Sequence, residues 1–470
     1  MYVFLAMLCT SAALAADTEP PPPISGSREM FSLYGFDDSY FAKLPDATPY
    51  GDDQTEAILR GLIAVRRFSR VDLARWRHPA SELPAWLATP EEHSGEVVEL
   101  RGRVKRVTRI RPIPEVARRF ELDVYYRCDV ELAKPETEAT VFALAIPRDW
   151  LGENEDSREC DLRCGGATVF LKRQAADAAH PAPLFIAQRL AWFPEQGNFA
   201  SLGSLGFDAG LIDGVRDKIA LSQSSDLERE AFYQMLDAVS RTQPGELHAV
   251  ATTELRTAAQ LWKTDLAAQR KSADAAPEKL AELQRQLDRA ADEAEDVAPL
   301  FNTPEESRGR LVTLVGTARR AIEIRVDDVD IRERFGLEHY YEIELVTPDS
   351  RGNPIAFCVL ELPPGMPTGD DLYESIRATG FFLKTWSFRT AQSAEAEPGT
   401  VRKQLAPLLI GRDVMRLTNE AAPDESRGFT VAIVAAFVAG VFAVAWWLHR
   451  DAGRKKPLPD RIAIPPAESP

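Results

Sequence analysis

Most of this chain is one unit written twice, and that duplication limits the fold more than any single motif. The heptapeptide TPEEHSG at Thr89–Gly95 returns as TPEESRG at Thr303–Gly309. Val98, Leu100, Gly102, Arg106, Ile110 and Arg111 then align without a gap with Val312, Leu314, Gly316, Arg320, Ile324 and Arg325, each 214 residues later. FxLxxYY at Phe120–Tyr126 matches Phe335–Tyr341, Phe170-Leu171-Lys172 matches Phe382-Leu383-Lys384, and APLFI at Ala182–Ile186 matches APLLI at Ala406–Ile410. Upstream, Gly35-Phe36-Asp37 pairs with Gly206-Phe207-Asp208, and Glu56-Ala57 pairs with Glu230-Ala231 at a shift of 174. The rise from 174 to 214 places an insertion of about forty residues in the second copy, between Val239 and Thr303.

Each copy reads as a helical lead followed by a β module. The leads, Glu56 to Arg67 and Asp226 to Ser240, carry apolar residues at helical spacing. The β modules open on long alternating runs, Val97–Val107 and Leu311–Ala321, with Gly102 and Gly316 in the middle, where a bend or bulge is expected. Further strands are expected at Tyr125–Leu132, Val141–Ile146, Ala167–Lys172 and Leu184–Ala191, and in the second copy at Tyr340–Val346, Ile355–Leu362, Gly380–Phe388 and Leu408–Val414. Polar, helix-compatible stretches at Asp149–Leu162 and Gly369–Ala378 precede the fourth strand. Five strands in this order resemble an OB-fold barrel, and a small β-sandwich or an SH3-like barrel fits nearly as well. The fold class is therefore α+β. The insertion holds two apolar stripes, Leu255, Ala259, Trp262 and Leu266, then Leu280, Leu283 and Leu287, which predict a helical hairpin. It either packs on its own domain or forms a partner-binding coiled coil, a route to self-association as well.

The two ends suggest a compartment. Residues 1–16 are apolar, then small, and finish on Ala13-Leu14-Ala15, like a secretory signal, although no Lys or Arg precedes the apolar run. A Pro-rich linker over 17–30 follows. Near the other end, Phe429–Leu448 runs for twenty residues without a charge, about 30 Å as a helix and enough to cross a bilayer. Trp446 and Trp447 close it, and Arg450, Arg454, Lys455 and Lys456 follow, which puts the tail in the cytoplasm. The layout read from the sequence is a signal over 1–16, a first repeat over 31–200 with its barrel at 93–195, and a second repeat over 201–420. That second repeat carries the hairpin at 248–297 and a barrel at 305–416. A transmembrane helix over 429–449 and a cytoplasmic tail over 450–470 complete it. The formal charge is −16, and the tail's five basic against three acidic residues leave about −18 on the exported part. That excess argues against nucleic acid as a partner.

No catalytic signature is present: no G-x-S-x-G, H-E-x-x-H, phosphate-binding loop or CxxC pair. No cofactor and no metal are expected. Asp327, Asp328 and Asp330 cluster but lack a calcium-loop frame. Tyr126 and Tyr341, one from each Tyr-Tyr pair, are candidates for a stacking surface, since neighbouring strand residues face opposite ways. Lys172 and Lys384 are candidate contacts to an anionic ligand, with a solvated strand lysine as the simpler alternative, and Trp386 is a candidate anchor. Cys160 and Cys164 leave a local disulfide and free thiols both open. Glu131, Asp149 and Glu361 are the carboxylates to examine if the chain is an enzyme.

The order of boxes, through Gly206-Phe207-Asp208, Ala231-Phe232-Tyr233, Tyr340-Tyr341, Phe382-Leu383-Lys384 and Ala406–Ile410, resembles bacterial envelope proteins of uncharacterised function frequent in planctomycetes. That resemblance implies a single-pass inner-membrane protein with periplasmic domains and brings no activity. The expectation is a membrane-anchored scaffold or binding module holding an envelope protein or glycan. The alternative is a hydrolase of envelope polymers with an unrecognised site.

Overall fold

In both halves of the chain, five strands close into a ring around their own apolar interior. In the first, β1 (Val97–Ile110), β2 (Tyr125–Leu132), β3 (Glu138–Ala145), β4 (Ser157–Ala175) and β5 (Pro181–Arg189) pair in the order β1-β2-β3-β5-β4, and β4 returns to β1. All pairings are antiparallel except β3 with β5. The second ring repeats this with β6 (Leu311–Arg325), β7 (His339–Val346), β8 (Ile355–Val359), β9 (Glu374–Arg389) and β10 (Lys403–Gly411), and β8 with β10 is again the parallel pair. The computed structural model describes residues 24–134, 136–175, 181–220, 223–271, 276–389 and 403–417. Those up to Arg416 belong to one compact unit.

Closing so small a ring requires long strands that bend, and both copies bend at the same places. The register of β1 against β2 and β4 slips between Val104 and Arg106, and that of β6 against β7 slips between Ala318 and Arg320. Inside β4 and β9 it slips at Phe170/Lys172 and at Phe382/Lys384. The central glycines are required by close approach. A Cβ on Gly102 would lie 2.3 Å from the Glu131 carbonyl oxygen, and one on Gly316 would lie 2.4 Å from that of Val346.

Period-two alternation then divides the apolar residues between two cores per copy. Phe170 and Phe185 point into the first ring with Val98, Val104 and Val141, while Val169, Leu171, Leu184 and Ile186 point out onto the lead. The lead meets them with Phe31 of α1 (Ser27–Leu33), with Phe36, and with Ile58 and Leu62 of α2 (Thr55–Val65). In the second copy, Phe357, Phe382 and Leu409 fill the ring. Phe381, Leu383, Leu408 and Ile410 face Phe207 and, from α4 (Asp226–Ser240), Met235 and Leu236. Each fully buried Phe contributes about 1.5–3 kcal/mol.

Several expectations change. The stretches at Asp149–Leu162 and Gly369–Ala378 contain no α-helix: a single 3-10 turn covers Arg148–Trp150, and β4 and β9 already begin at Ser157 and Glu374. The helix of each module lies between its first and second strands instead, α3 (Pro114–Phe120) and α7 (Val329–Phe335). Helix α1 starts within the segment read as linker, with the Ser27 hydroxyl donating to the Gly95 carbonyl at 2.8 Å. The insertion forms α5 (Glu246–Gln269) and α6 (Pro277–Ala291), packed on each other, with Leu283 the buried residue of α6. The signal-like segment and the apolar run 429–449 lie outside the described residues. Among those described, no helix is long and apolar enough to cross a membrane.

Candidate functional site

The two lysines expected at the surface are instead interior fasteners of lead to ring. The slip after Phe170 turns both Leu171 and Lys172 toward the lead, where Lys172 is 1% exposed. Its Nζ donates to the Pro45 carbonyl (3.2 Å), the Thr48 carbonyl (3.0 Å), Thr48 Oγ1 (2.9 Å) and Gln54 Oε1 (2.8 Å). Burial pushes this ammonium below the usual lysine range, and Asp46 and Asp53 oppose that. Lys384 is completely buried and donates to Glu228 Oε1 at 2.6 Å. Gln54 and Glu228 are equivalent positions, 174 residues apart. The same fastener is thus neutral on the lead side in copy 1 and charged in copy 2.

A second clamp also recurs. The Arg173 amide donates to Asp46 Oδ1 and the Thr385 amide to Asp217 Oδ1, both at 2.9 Å. The residues after these aspartates, Ala47 and Lys218, both take left-handed backbone, with φ of 56° and 60°. Their amides return to the Arg173 and Thr385 carbonyls at 3.1 and 2.7 Å. Lys172 and Lys384 therefore serve the fold.

The other candidates do not converge. Tyr126 and Tyr341 are half-buried against the ring interiors, while their partners Tyr125 and Tyr340 pack on the lead side, near Phe142 and Phe232. Trp386 packs on the core between ring and lead. Cys160 and Cys164 are free thiols on one strand, Cys160 half-buried and donating to the Val104 carbonyl at 3.4 Å. Burial pushes Cys164 up to about 12. Glu131 pairs with Lys105 at 2.8 Å and Glu361 with Arg412 at 2.9 Å, while Asp149 is exposed. Asp328 caps α7 and pairs with Arg229, and Asp330 pairs with Arg334. Among the described residues no group of three or more His, Cys, Asp and Glu is arranged to hold a metal.

A concavity of about 930 Å³ lies where ring 1 meets the second lead. Arginines and carboxylates line it in alternation, and most are already paired. Glu99 takes Arg77 and Arg101, both at 3.0 Å, Arg103 takes Glu195 at 2.9 Å, and Asp237 takes Arg241. At its base, buried Asp208 accepts from the Trp192 amide (2.9 Å) and from Arg189 Nε (3.2 Å). Burial raises the Asp208 and Asp237 carboxyls above the usual range, against the pull of Arg189 and Arg241. Exposed Arg163 and Glu136 have no charged partner among the described residues, and Phe193 and Phe335 add ring faces. Sequence reasoning missed this cleft. Its one signal was Gly206-Phe207-Asp208, a box that registered as repetition and not as a junction.

Beside the cleft the repeats are tied by charge. Glu230 of α4 accepts from Arg70 of the first lead at 3.0 Å and from both terminal nitrogens of Arg334 of α7 at 2.7 and 2.8 Å. Burial pushes the Glu230 carboxyl up, but Arg334 and Arg70 outweigh it and hold it below the usual glutamate range. Arg75 reaches Glu333 at 3.1 Å across the same boundary. Compared with known proteins, the chain matches no protein family and no curated sequence.

Proposed function

We propose that this chain is a non-enzymatic, membrane-tethered scaffold of the bacterial envelope. Its two OB-like modules are held at fixed orientation, and the cleft at their junction takes a polar envelope ligand. The observation that carries this reading is the state of the charges. The buried Asp208 is engaged by Arg189 across the junction of the repeats and Asp237 by Arg241 one helical turn away, so neither carboxylate is left for a ligand. Arg163 and Glu136 remain for a ligand with groups of both signs, as in an envelope glycan carrying peptide or in a segment of a partner protein. The strand order, with its single parallel pair, supports the OB-like description of both rings. The apolar run 429–449 and the basic residues after it support the tether.

The test places a photo-crosslinking residue at position 163 of the full chain in living cells. A discrete adduct with an envelope protein or glycan, absent when the same residue stands at exposed position 271, is expected. Adducts of equal yield at both positions, or a chain released from membranes by alkaline extraction, would overturn the proposal. A competing reading as an envelope-polymer hydrolase rests on the raised Asp208 and Asp237 carboxyls. It requires substrate turnover that Asp237→Asn abolishes without loss of fold.

A further inference from the structure

Glu56, Arg60 and Ile63 of α2, and Arg67 just after it, follow one another at helical spacing and form one stripe on the outside of lead 1. Rings and cations interleave along it. Arg67 lies over the Tyr34 ring at 5.6 Å. Arg60 lies over Tyr40 at 4.8 Å and over Phe120 of α3 at 5.7 Å, and Lys43 and Arg119 cover the same two rings at 4.5 and 5.3 Å. Arg66 extends the face toward α3, donating to the Glu121 carbonyl at 3.2 Å.

The duplication supplies a control for this face. Lys43, Arg60, Ile63 and Arg66 correspond to Gly214, Gln234, Asp237 and Ser240, and Tyr34 and Tyr40 to Leu205 and Leu211, while Arg67 and Arg119 persist as Arg241 and Arg334. Counted with α3 or α7 entire and the residue after it, the first face holds six cations and three carboxylates (Glu56, Glu115 and Glu121), and the second three cations and four carboxylates. The difference follows what each face meets. On lead 2, Leu205, Gln234, Asp237 and Arg241 line the junction cleft, and Arg241 and Arg334 are paired with Asp237 and Glu230. Lead 1 has no described ring before it. There Arg60 and Arg119 share the carboxylate of Glu56 at 3.4 and 3.3 Å, and Lys43, Arg66, Arg67 and Arg118 have no carboxylate in ion-pair reach among the described residues. Tyr34 is 38% exposed, and Leu33 next to it 64%.

We propose that this face docks lead 1 on an anionic lipid surface. A guanidinium lying over a ring is held by its own flat face and keeps its in-plane N–H groups for phosphate oxygens. Leu33 and Tyr34 reach the boundary between headgroups and acyl chains, as the apolar side of an interfacial element does. Basic groups beside an exposed leucine and tyrosine suit a bilayer interface better than a wholly polar polyanion, which offers the apolar pair nothing. The chain as a whole carries −16, so an anionic bilayer repels its other surfaces and attracts this one, which sets the orientation of approach.

The test places a photo-crosslinking residue at position 33 of the full chain and reconstitutes it in lipid nanodiscs, of phosphatidylcholine alone or of an equal mixture with phosphatidylglycerol. Adduct masses identify the lipid. In the mixed discs, adducts to phosphatidylglycerol above its share are expected, and they should fall away in high salt. Lys43→Gln with Arg67→Gln removes two exposed cations that pair with no described carboxylate, and circular dichroism confirms the fold. A cation at an anionic surface contributes about fivefold to docking, so this pair is expected to cut the adduct yield at least about tenfold. Lys271→Gln with Lys279→Gln, an equal loss of exposed charge on the hairpin, is expected to leave it unchanged. Failure of the tether is read separately: a chain that elutes apart from the discs refutes the tether, and the same variants are then compared by co-sedimentation with vesicles of the two compositions. No lipid adduct at position 33 of the disc-bound chain, or no dependence on phosphatidylglycerol in either assay, would overturn the proposal. So would binding that the lead-1 pair leaves unmoved or that the hairpin pair weakens as far.

Discussion

Replacing Glu228 by Gln removes the counterion of a lysine that water does not reach, while the first copy already carries the neutral arrangement at Gln54. The cost follows from what surrounds each ammonium. Lys172 has four oxygens within 3.2 Å, whereas Lys384 Nζ, among the described residues, donates to Glu228 alone. Glu228 also accepts from the Ser224 hydroxyl (2.5 Å) through Oε1 and from the Arg216 amide (3.2 Å) through Oε2. A glutamine amide that keeps its oxygen toward Lys384 turns its NH₂ onto the Arg216 amide, donor against donor. Removing one partner of a buried ion pair costs about 3–5 kcal/mol, so Glu228→Gln is expected to lose about 3–4 kcal/mol. Removing both charges, Glu228→Gln with Lys384→Met, leaves no orphan ammonium and is expected to cost less than the single change. Gln54→Glu is expected to change stability by no more than about 1 kcal/mol, because Lys172 is already satisfied. Urea denaturation of the four proteins, followed by tryptophan fluorescence, checks the order. If the double variant is no milder than Glu228→Gln, or if the two copies respond alike, the reasoning from local acceptors is refuted.

Glu230→Gln is expected to cost about 2–3 kcal/mol, below the full buried-pair figure because Asp330 still holds Arg334 at 2.7 Å. It should also separate the unfolding of the two repeats into two transitions by calorimetry. Gly102→Ala and Gly316→Ala drive a methyl into a carbonyl oxygen. Each is expected to lose about 2–3 kcal/mol in thermal denaturation, with similar losses marking equivalent sites. Asp161, held by Arg103 and Lys105, titrates at about 2, so its contribution is present above the ordinary carboxylate pKa and is lost as pH falls through about 2. Carbon-detected titration should find that midpoint, and Arg103→Met should move it up. Of the described thiols, Cys160 is expected to alkylate first in the folded chain, because Cys128, Cys164 and Cys358 are buried.

Much of the architecture is legible because duplication lets each copy check the other. The Tyr-Tyr strands, the Ala-Pro-Leu strands and the helix Asp226–Ser240 fall where the matched boxes place them. The front halves of β4 and β9 were hidden because Ser157–Leu162 is polar, lies along the surface and pairs with β1, so it carries no apolar alternation. Helices α3 and α7 are seven residues each, too short for a periodic signal. The buried lysines were hidden by the slip between Phe170 and Lys172, because alternation carried across an unseen bulge assigns the next side chain to the wrong face. The cleft was hidden because it is a junction: its lining is ordinary surface on either part alone.

The unequal fasteners bear on whether a chain with two similar halves can assemble the wrong ones. While it folds, either lead meets either ring, since both rings offer a Phe-Leu-Lys strand to a helix of similar shape. The acceptors that satisfy Lys172, on Pro45, Thr48 and Gln54, all belong to lead 1, so a crossed arrangement carries the whole set to Lys384, while lead 2 carries Glu228 to Lys172. Exchange of leads between rings, the characteristic misassembly of tandem repeats, therefore leaves neither ammonium orphaned. The two fasteners are different plugs that fit the same socket, and the choice of partner falls to the chain that connects each lead to its ring.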